Sequence, residues 1–243
     1  MYTKIKMKVK FSLIPLIILC FNALGEGQCL NGKVQITGEM RNVMWKGQLE
    51  GNIHLDTIAN KSNVVGLGPL EYLGGEIIVI DGKSYKSMVL SDSRMEVVET
   101  FNVKAPFFAH AEISNCSEEL LDVDIQTIQL LESFLDNKMS ESSQPFMFKL
   151  AGFVKEATIH VVNLPVGAKV SSPNDAHKGL VKYQMENKEA EIVGFFSKEH
   201  KGIFTHHDTY LHMHLITKDK QMMGHLDELS IEKGKMWLFL CQN

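Results

Sequence analysis

Arginine is nearly missing from this chain. Its 243 residues hold two, Arg41 and Arg94, against 23 lysines, and the formal net charge is −4. That balance gives no basic surplus of the kind nucleic acid requires. No low-complexity segment and no internal repeat occurs, and hydrophobic residues make up 44%, so the chain is not a disordered one and can fill a core. There is no C-x-x-C pair, and the four cysteines, Cys20, Cys29, Cys116 and Cys241, read as incidental apart from room for one bridge. No apolar run reaches the ~20 residues needed to span a bilayer. The length allows one large domain or two small ones.

The longest apolar run, Phe11 to Leu24, follows a start carrying Lys4, Lys6, Lys8 and Lys10. Small residues at Ala23 and Gly25 complete a three-part secretory signal. Residues 1–25 are therefore expected to be a signal peptide, and the protein to be exported to a periplasm or secreted, without stable membrane association after cleavage. Removing the segment leaves 21 basic and 29 acidic residues, a net of −8, which argues further against a nucleic-acid partner. Export permits disulfides, and the three remaining cysteines leave at least one thiol free.

The rest reads as an α+β protein of mixed and antiparallel sheet with few helices. The apolar run Glu76 to Ile80, then Asp81-Gly82, then Ser84 to Leu90, is a hairpin signal. Met95 to Phe101, Phe107 to Ile113, Phe146 to Lys155 and Thr158 to Leu164 read as strands. So do Ala190 to Ser197, Tyr210 to Thr217, Met222 to Ile231 and Lys235 to Cys241. One helix is predicted from Glu118 to Asp136, capped by Ser117, because Leu121, Ile125, Ile128, Leu131 and Leu135 recur at three- and four-residue spacing. The Pro-, Ser-, Asn- and Gly-bearing stretch Pro165 to Gly179 is the expected boundary. It separates an N-terminal mixed-sheet domain, 26–164, from a C-terminal β domain, 165–243.

Histidine is what the chain has in quantity. Six of ten lie between His200 and His225. Residues two apart on a strand share a face, so His212 and His214 lie side by side. A turn centred on Asp219-Lys220 puts His225 opposite His214 and Asp227 opposite His212, with opposed Cβ atoms roughly 4.5–5.5 Å apart. Three imidazoles in that reach can hold one Zn²⁺ and leave a coordination position open. This suits hydrolysis by metal-bound water, a metal dioxygenase, or Lewis-acid chemistry on a ketone, and periodicity does not choose among them. His206, His207 and Asp208 fall in the loop before the strand. His54, His110, His160, His177 and His200 have no role readable from spacing.

Five segments together resemble one family. They are Gly66-Leu-Gly-Pro-Leu-Glu-Tyr-Leu-Gly-Gly-Glu76 with Asp81-Gly82, Ala105-Pro-Phe107, Phe148-Lys-Leu-Ala-Gly152, Glu191-Ile-Val-Gly-Phe-Phe196, and Leu211-His-Met-His-Leu215 with Met223-Gly-His225. Their order and spacing are similar to the alpha-acetolactate decarboxylases. The resemblance implies a zinc-dependent carboxy-lyase that turns 2-acetolactate (2-hydroxy-2-methyl-3-oxobutanoate) into acetoin and CO₂, with a homodimer joined through the N-terminal sheet. It makes His212, His214 and His225 the Zn²⁺ ligands and gives Glu76 a catalytic place at the metal. The family's substrate-facing arginine is matched by Lys149, which keeps the charge without the planar fork. The alternative is a non-catalytic metal- or ligand-binding relative of the same fold.

Overall fold

The computed structural model describes residues 33–113, 116–139, 144–205 and 209–241, with the side chain of Cys241 outside the description. The expected signal peptide, Cys20, Cys29 and the His206-His207-Asp208 segment lie outside the described residues. Among the described residues no helix is long and apolar enough to cross a membrane.

The first half supplies eight strands: β1 Gln35–Thr37, β2 Ile53–His54, β3 Val64–Pro69, β4 Glu76–Ile80, β5 Lys83–Ser91, β6 Arg94–Glu99, β7 Lys104–Ala105 and β8 Phe108–Glu112. Six of them form one sheet in the order β1-β8-β3-β4-β5-β6, and β2 pairs with β7 beside it. The hairpin between β4 and β5 turns on Asp81 and Gly82, both at positive φ (48° and 73°), as a two-residue turn matched to strand twist requires. A seven-residue helix, α1 Met40–Lys46, buries Met40 and Val43 in a cluster with Leu73, Phe107 and Val162.

The second sheet is built from β9 Ser117–Leu120, β10 Phe146–Val161, β11 Val181–Phe196, β12 Leu211–Thr217, β13 Met223–Ser230 and β14 Met236–Cys241. Its order is β11-β12-β13-β10-β14-β9, and β10 also pairs with β11, so β10, β11, β12 and β13 form a closed ring. Every named strand pairing is antiparallel. The α+β architecture with few helices is as expected. The expected boundary at 164/165 does not fall between the sheets, because β9 and β10 precede it and belong to the second sheet. The two strands expected at Phe146 to Lys155 and Thr158 to Leu164 are one long strand, β10, which ends at Val161. The Pro165 to Gly179 stretch carries one helical turn, α3 Pro173–Ala176, capped by the Ser172 hydroxyl.

The predicted helix is shorter and starts later. It is α2 Ile128–Lys138, capped by Thr127, whose hydroxyl accepts from the Leu130 N–H. The segment before it is extended: β9 pairs with β14, and Ile125 bridges to Ile231. Leu121 and Ile125 are buried in either geometry, so their spacing alone fitted a helix. Pairing with the C-terminal strand decides the matter, and tertiary context overrides the local pattern.

Two apolar layers hold the fold. Phe146, Phe148, Leu150, Ile159, Ile192, Leu215 and Leu238 lie in one, together with Leu131 and Leu135 of α2. The other lies between the sheets. There Val65, Leu67, Ile78 and Ile80 meet Met147, Val193, Phe195, Ile216 and Met223. Each fully buried aliphatic or aromatic side chain contributes about 1.5–3 kcal/mol. Period two places Glu76 on the same face of β4 as Ile78 and Ile80, and His212 and His214 on the same face of β12 as Ile216. The apolar interlayer therefore ends in a buried polar corner.

Candidate metal centre

The hairpin of β12 and β13 has the expected register. His214 is opposite His225, Leu215 opposite Gly224, and Ile216 opposite Met223. His212, His214 and His225 are all buried, and their ligand-capable nitrogens lie within 4.8 Å of one another. Three nitrogens around one tetrahedral ion at ~2.0–2.1 Å lie roughly 3.3–3.4 Å apart, so little movement gathers this trio. Asp227 does not sit opposite His212 as expected. The register of β13 against β10 shifts at Thr158/Ile159, and Asp227 turns to His160 instead.

The tautomers follow from the partners. His212 Nδ1 lies 2.6 Å from the Phe204 carbonyl and His214 Nδ1 lies 2.8 Å from the Ile77 carbonyl. A carbonyl oxygen only accepts, so both Nδ1 atoms carry the proton and donate it. That leaves the Nε2 lone pair for an ion, with each ring oriented from behind as metal-binding histidines require. The donor set, three buried imidazoles, fits a borderline ion such as Zn²⁺.

Glu76 enters from β4. Its side chain is nearly fully buried, with Oε2 3.6 Å from His214 Nε2 and Oε1 accepting the Val162 N–H at 3.3 Å. Burial pushes its carboxyl well above the usual range. The Val162 N–H opposes this and the Asp227 charge adds to it. The loop that delivers Glu76 is tight: Tyr72 and Leu73 both hold positive φ (60° and 51°), and the Leu73 carbonyl accepts from Leu164 N–H at 2.9 Å. A cleft of about 220 Å³ opens on His225, lined also by Ile128, Gln129 and Glu132 of α2 and by Asp227.

Residues 38–243 match the family model described as Alpha-acetolactate decarboxylase. The chain belongs to the alpha-acetolactate decarboxylase family. Among relatives, the alpha-acetolactate decarboxylase of Brevibacillus brevis is 23% identical over 80% of this chain and 66% of its own length. That of Streptococcus thermophilus is 29% identical over 70% of this chain and 69% of its own. The chain thus spans about two thirds of the length of these relatives. A crystal structure of alpha-acetolactate decarboxylase from Bacillus subtilis strain 168 superposes with a TM-score of 0.73 at 21% identity, covering 87% of this chain and 86% of that one. This likeness shows the decarboxylase fold.

In this member of the carboxy-lyase family, Lys149 is not brought to the trio. Its Nζ lies 3.0 Å from Asp81 Oδ1 and 3.8 Å from Glu191 Oε1, over the ring of Phe239. Asp81 follows the far end of β4, five residues from Glu76, or about 16 Å along the strand at ~3.3 Å per residue. Loss of the ammonium in Lys149→Met is therefore expected to change acetoin-forming activity by less than about threefold, while exposing any contribution of the Asp81 pair to thermal stability, which is of order 1 kcal/mol or less for a partly solvated pair. A steady-state assay beside a melting curve measures both.

The structure adds residues that spacing did not find. His160, on β10, is directly opposite His225, and the two rings lie tilted at 34° with centroids 4.6 Å apart. Asp227 Oδ1 accepts from His160 Nδ1 at 2.6 Å, and its second oxygen pairs with Lys182 Nζ at 3.0 Å. Burial raises the Asp227 carboxyl, but the bonds and charges of His160 and Lys182 outweigh it and hold the group below its ordinary value. Only the pairing of β10 with β13, strands some 65 residues apart, brings these groups together.

Proposed function

We propose that this chain decarboxylates 2-acetolactate to acetoin and CO₂ with a Zn²⁺ held by His212, His214 and His225. The observation that carries the reading is the trio itself: three buried imidazoles, two fixed as Nδ1–H tautomers, beside a buried carboxyl, in a chain of this family. When bound, the ion supplies Lewis acidity toward the oxygens of a 2-hydroxy-3-oxo acid and stabilises the negative charge that develops there.

The chain's own groups account for the other steps. The bond from C2 to the carboxylate breaks, its electron pair moves toward the ketone oxygen, and CO₂ departs, leaving an enediolate. One proton must then reach C2. Glu76 is held in its acid form by burial, and its position beside His214 puts that proton at the site. The Val162 N–H fixes one carboxyl oxygen and so orients the other. The apolar surroundings of Glu76 and His214 exclude water that would compete for the carbanion.

We further infer export, from the three-part signal in residues 1–25. The disulfide at Cys116 supports it, since such bonds persist in oxidising compartments; the partner cysteine lies outside the described side chains.

The test uses purified full-length chain loaded with Zn²⁺, its metal content measured, and racemic acetolactate. Acetoin should form in proportion to protein, with about one Zn²⁺ per chain. A zinc-replete, folded protein that forms none would make this chain a metal-binding relative without the activity.

A further inference from the structure

We propose that Glu132 of α2 is a positioning residue for the metal centre: it pins the start of β12 and so sets where His212 stands relative to His214 and His225. The inference rests on the reading of these three histidines as Zn²⁺ ligands and gives a task to a helix outside the trio.

The need for a pin follows from the strand ladder. β12 and β13 are paired at His214 with His225, Leu215 with Gly224 and Ile216 with Met223. Past His225, β13 runs with β10, where Leu226 lies opposite Ile159 and Glu228 opposite Thr158. The two histidine strands therefore part at the pair that carries His214 and His225, and His212 lies two residues past the parting. Opposed side chains hold a fixed spacing only where the strands stay paired. β11 keeps its register with β12 as far as Leu211, but along the edge away from β13.

α2 spans the opening between the parted strands. Its Leu131 and Leu135 lie in one apolar cluster with Leu211 and Met213 of β12 and Leu226 of β13. The cleft of about 220 Å³ that opens on His225 lies among the same three elements, with Glu132 and Thr209 in its wall. From this seat Glu132 Oε2 accepts the Thr209 hydroxyl and the Tyr210 N–H, the second at 2.6 Å. Thr209 Oγ1 in turn accepts from the Leu211 N–H at 3.2 Å, so the bonds reach the residue next to His212. Donors on a carboxylate oxygen make shorter and stronger bonds than donors on a neutral one.

Two anchors then divide the work at His212. The Phe204 carbonyl, on Nδ1, turns the ring. Glu132 places the backbone that carries it. His214 obtains both services from the sheets, through the Ile77 carbonyl and the pairing with His225. Ordering the chain before the ion arrives spares binding that cost, so loss of the pin falls on metal affinity.

The test measures Zn²⁺ affinity by competition with a chelator, and the visible absorption of the Co²⁺-substituted protein, which reports coordination geometry. Full-length wild type is compared with Glu132→Ala, Glu132→Gln, Thr209→Val and Leu135→Val, with a melting curve of each metal-free protein. Groups that orient metal ligands are worth about 10- to 100-fold in affinity, and Glu132→Ala should weaken Zn²⁺ by about 10-fold and shift the Co²⁺ bands. Glu132→Gln keeps an acceptor oxygen and should recover most of the loss. Thr209→Val keeps the shape, removes one bond and should fall between. Leu135→Val loosens the packing of α2 without touching these bonds, so it should lower the melting temperature and leave Zn²⁺ affinity unchanged. Wild-type Zn²⁺ affinity and an unshifted Co²⁺ spectrum in Glu132→Ala overturn the proposal, as does an equal loss of affinity in Leu135→Val. If Glu132→Ala does not fold, Thr209→Val decides by the same two measurements: a weakened site supports the pin and an unchanged one overturns it. A wild type that binds Zn²⁺ but forms no acetoin removes the decarboxylase reading and leaves this one standing. A wild type that binds no Zn²⁺ removes the trio as ligands, and the pin with it.

Discussion

Replacing His214 with alanine is expected to release the metal and cut acetoin formation by about 10³-fold or more. Metal-ion catalysis is worth several kcal/mol, and each 1.36 kcal/mol is tenfold in rate. His214 is the least exposed of the trio and is backed by the Ile77 carbonyl on β4 in the opposite sheet. The substitution therefore removes a ligand and also a buried hydrogen bond to the Ile77 carbonyl, a bond worth about 0.5–1.5 kcal/mol in stability. The expected signature is joint: bound zinc lost, a lowered melting temperature, and no recovery on adding Zn²⁺. Wild type stripped with a chelator should lose the same activity but regain it with Zn²⁺. A His214→Ala protein that kept both its zinc and its turnover would remove His214 from the site.

Glu76→Gln is the second large effect. The amide keeps the shape and the oxygen that accepts from Val162, so folding and zinc content should be preserved. What it loses is the exchangeable acid proton. A positioned acid contributes about 10²–10⁴-fold, and turnover should fall by that factor while KM stays within a few-fold. The direction of the pH response follows from the raised carboxyl. As pH climbs through its elevated value, Glu76 ionises and turnover through it declines; the stability that comes from holding its proton is full below the usual carboxylate range and is lost over the same rise. Wild-type turnover with full zinc in Glu76→Gln would assign the proton to another group.

Much of this was readable in the sequence wherever local rules were enough. Asp81-Gly82 announced its hairpin, and the spacing of His212, His214 and His225 around a short turn announced one shared face. Other features depended on which distant strands pair. Leu121 and Ile125 fit a helix until β14 draws them into extended pairing. Lys149 sits in a segment that resembles the family's, yet its ammonium is drawn to Asp81 at a turn 68 residues away. His160 and Asp227 had no visible connection, because the pairing of β10 with β13 and its register shift are set by the whole ring.

That ring has a further consequence for how the protein meets copies of itself. The strands carrying His160, His212, His214 and His225 each have a paired neighbour on either side, whereas among the described residues the outermost strands of the two sheets are β1, β6 and β9. Unpaired backbone invites strand addition, so those margins are places where the sheets can grow into a neighbouring chain. Strand addition at those margins would leave the pairing around the histidine trio in place.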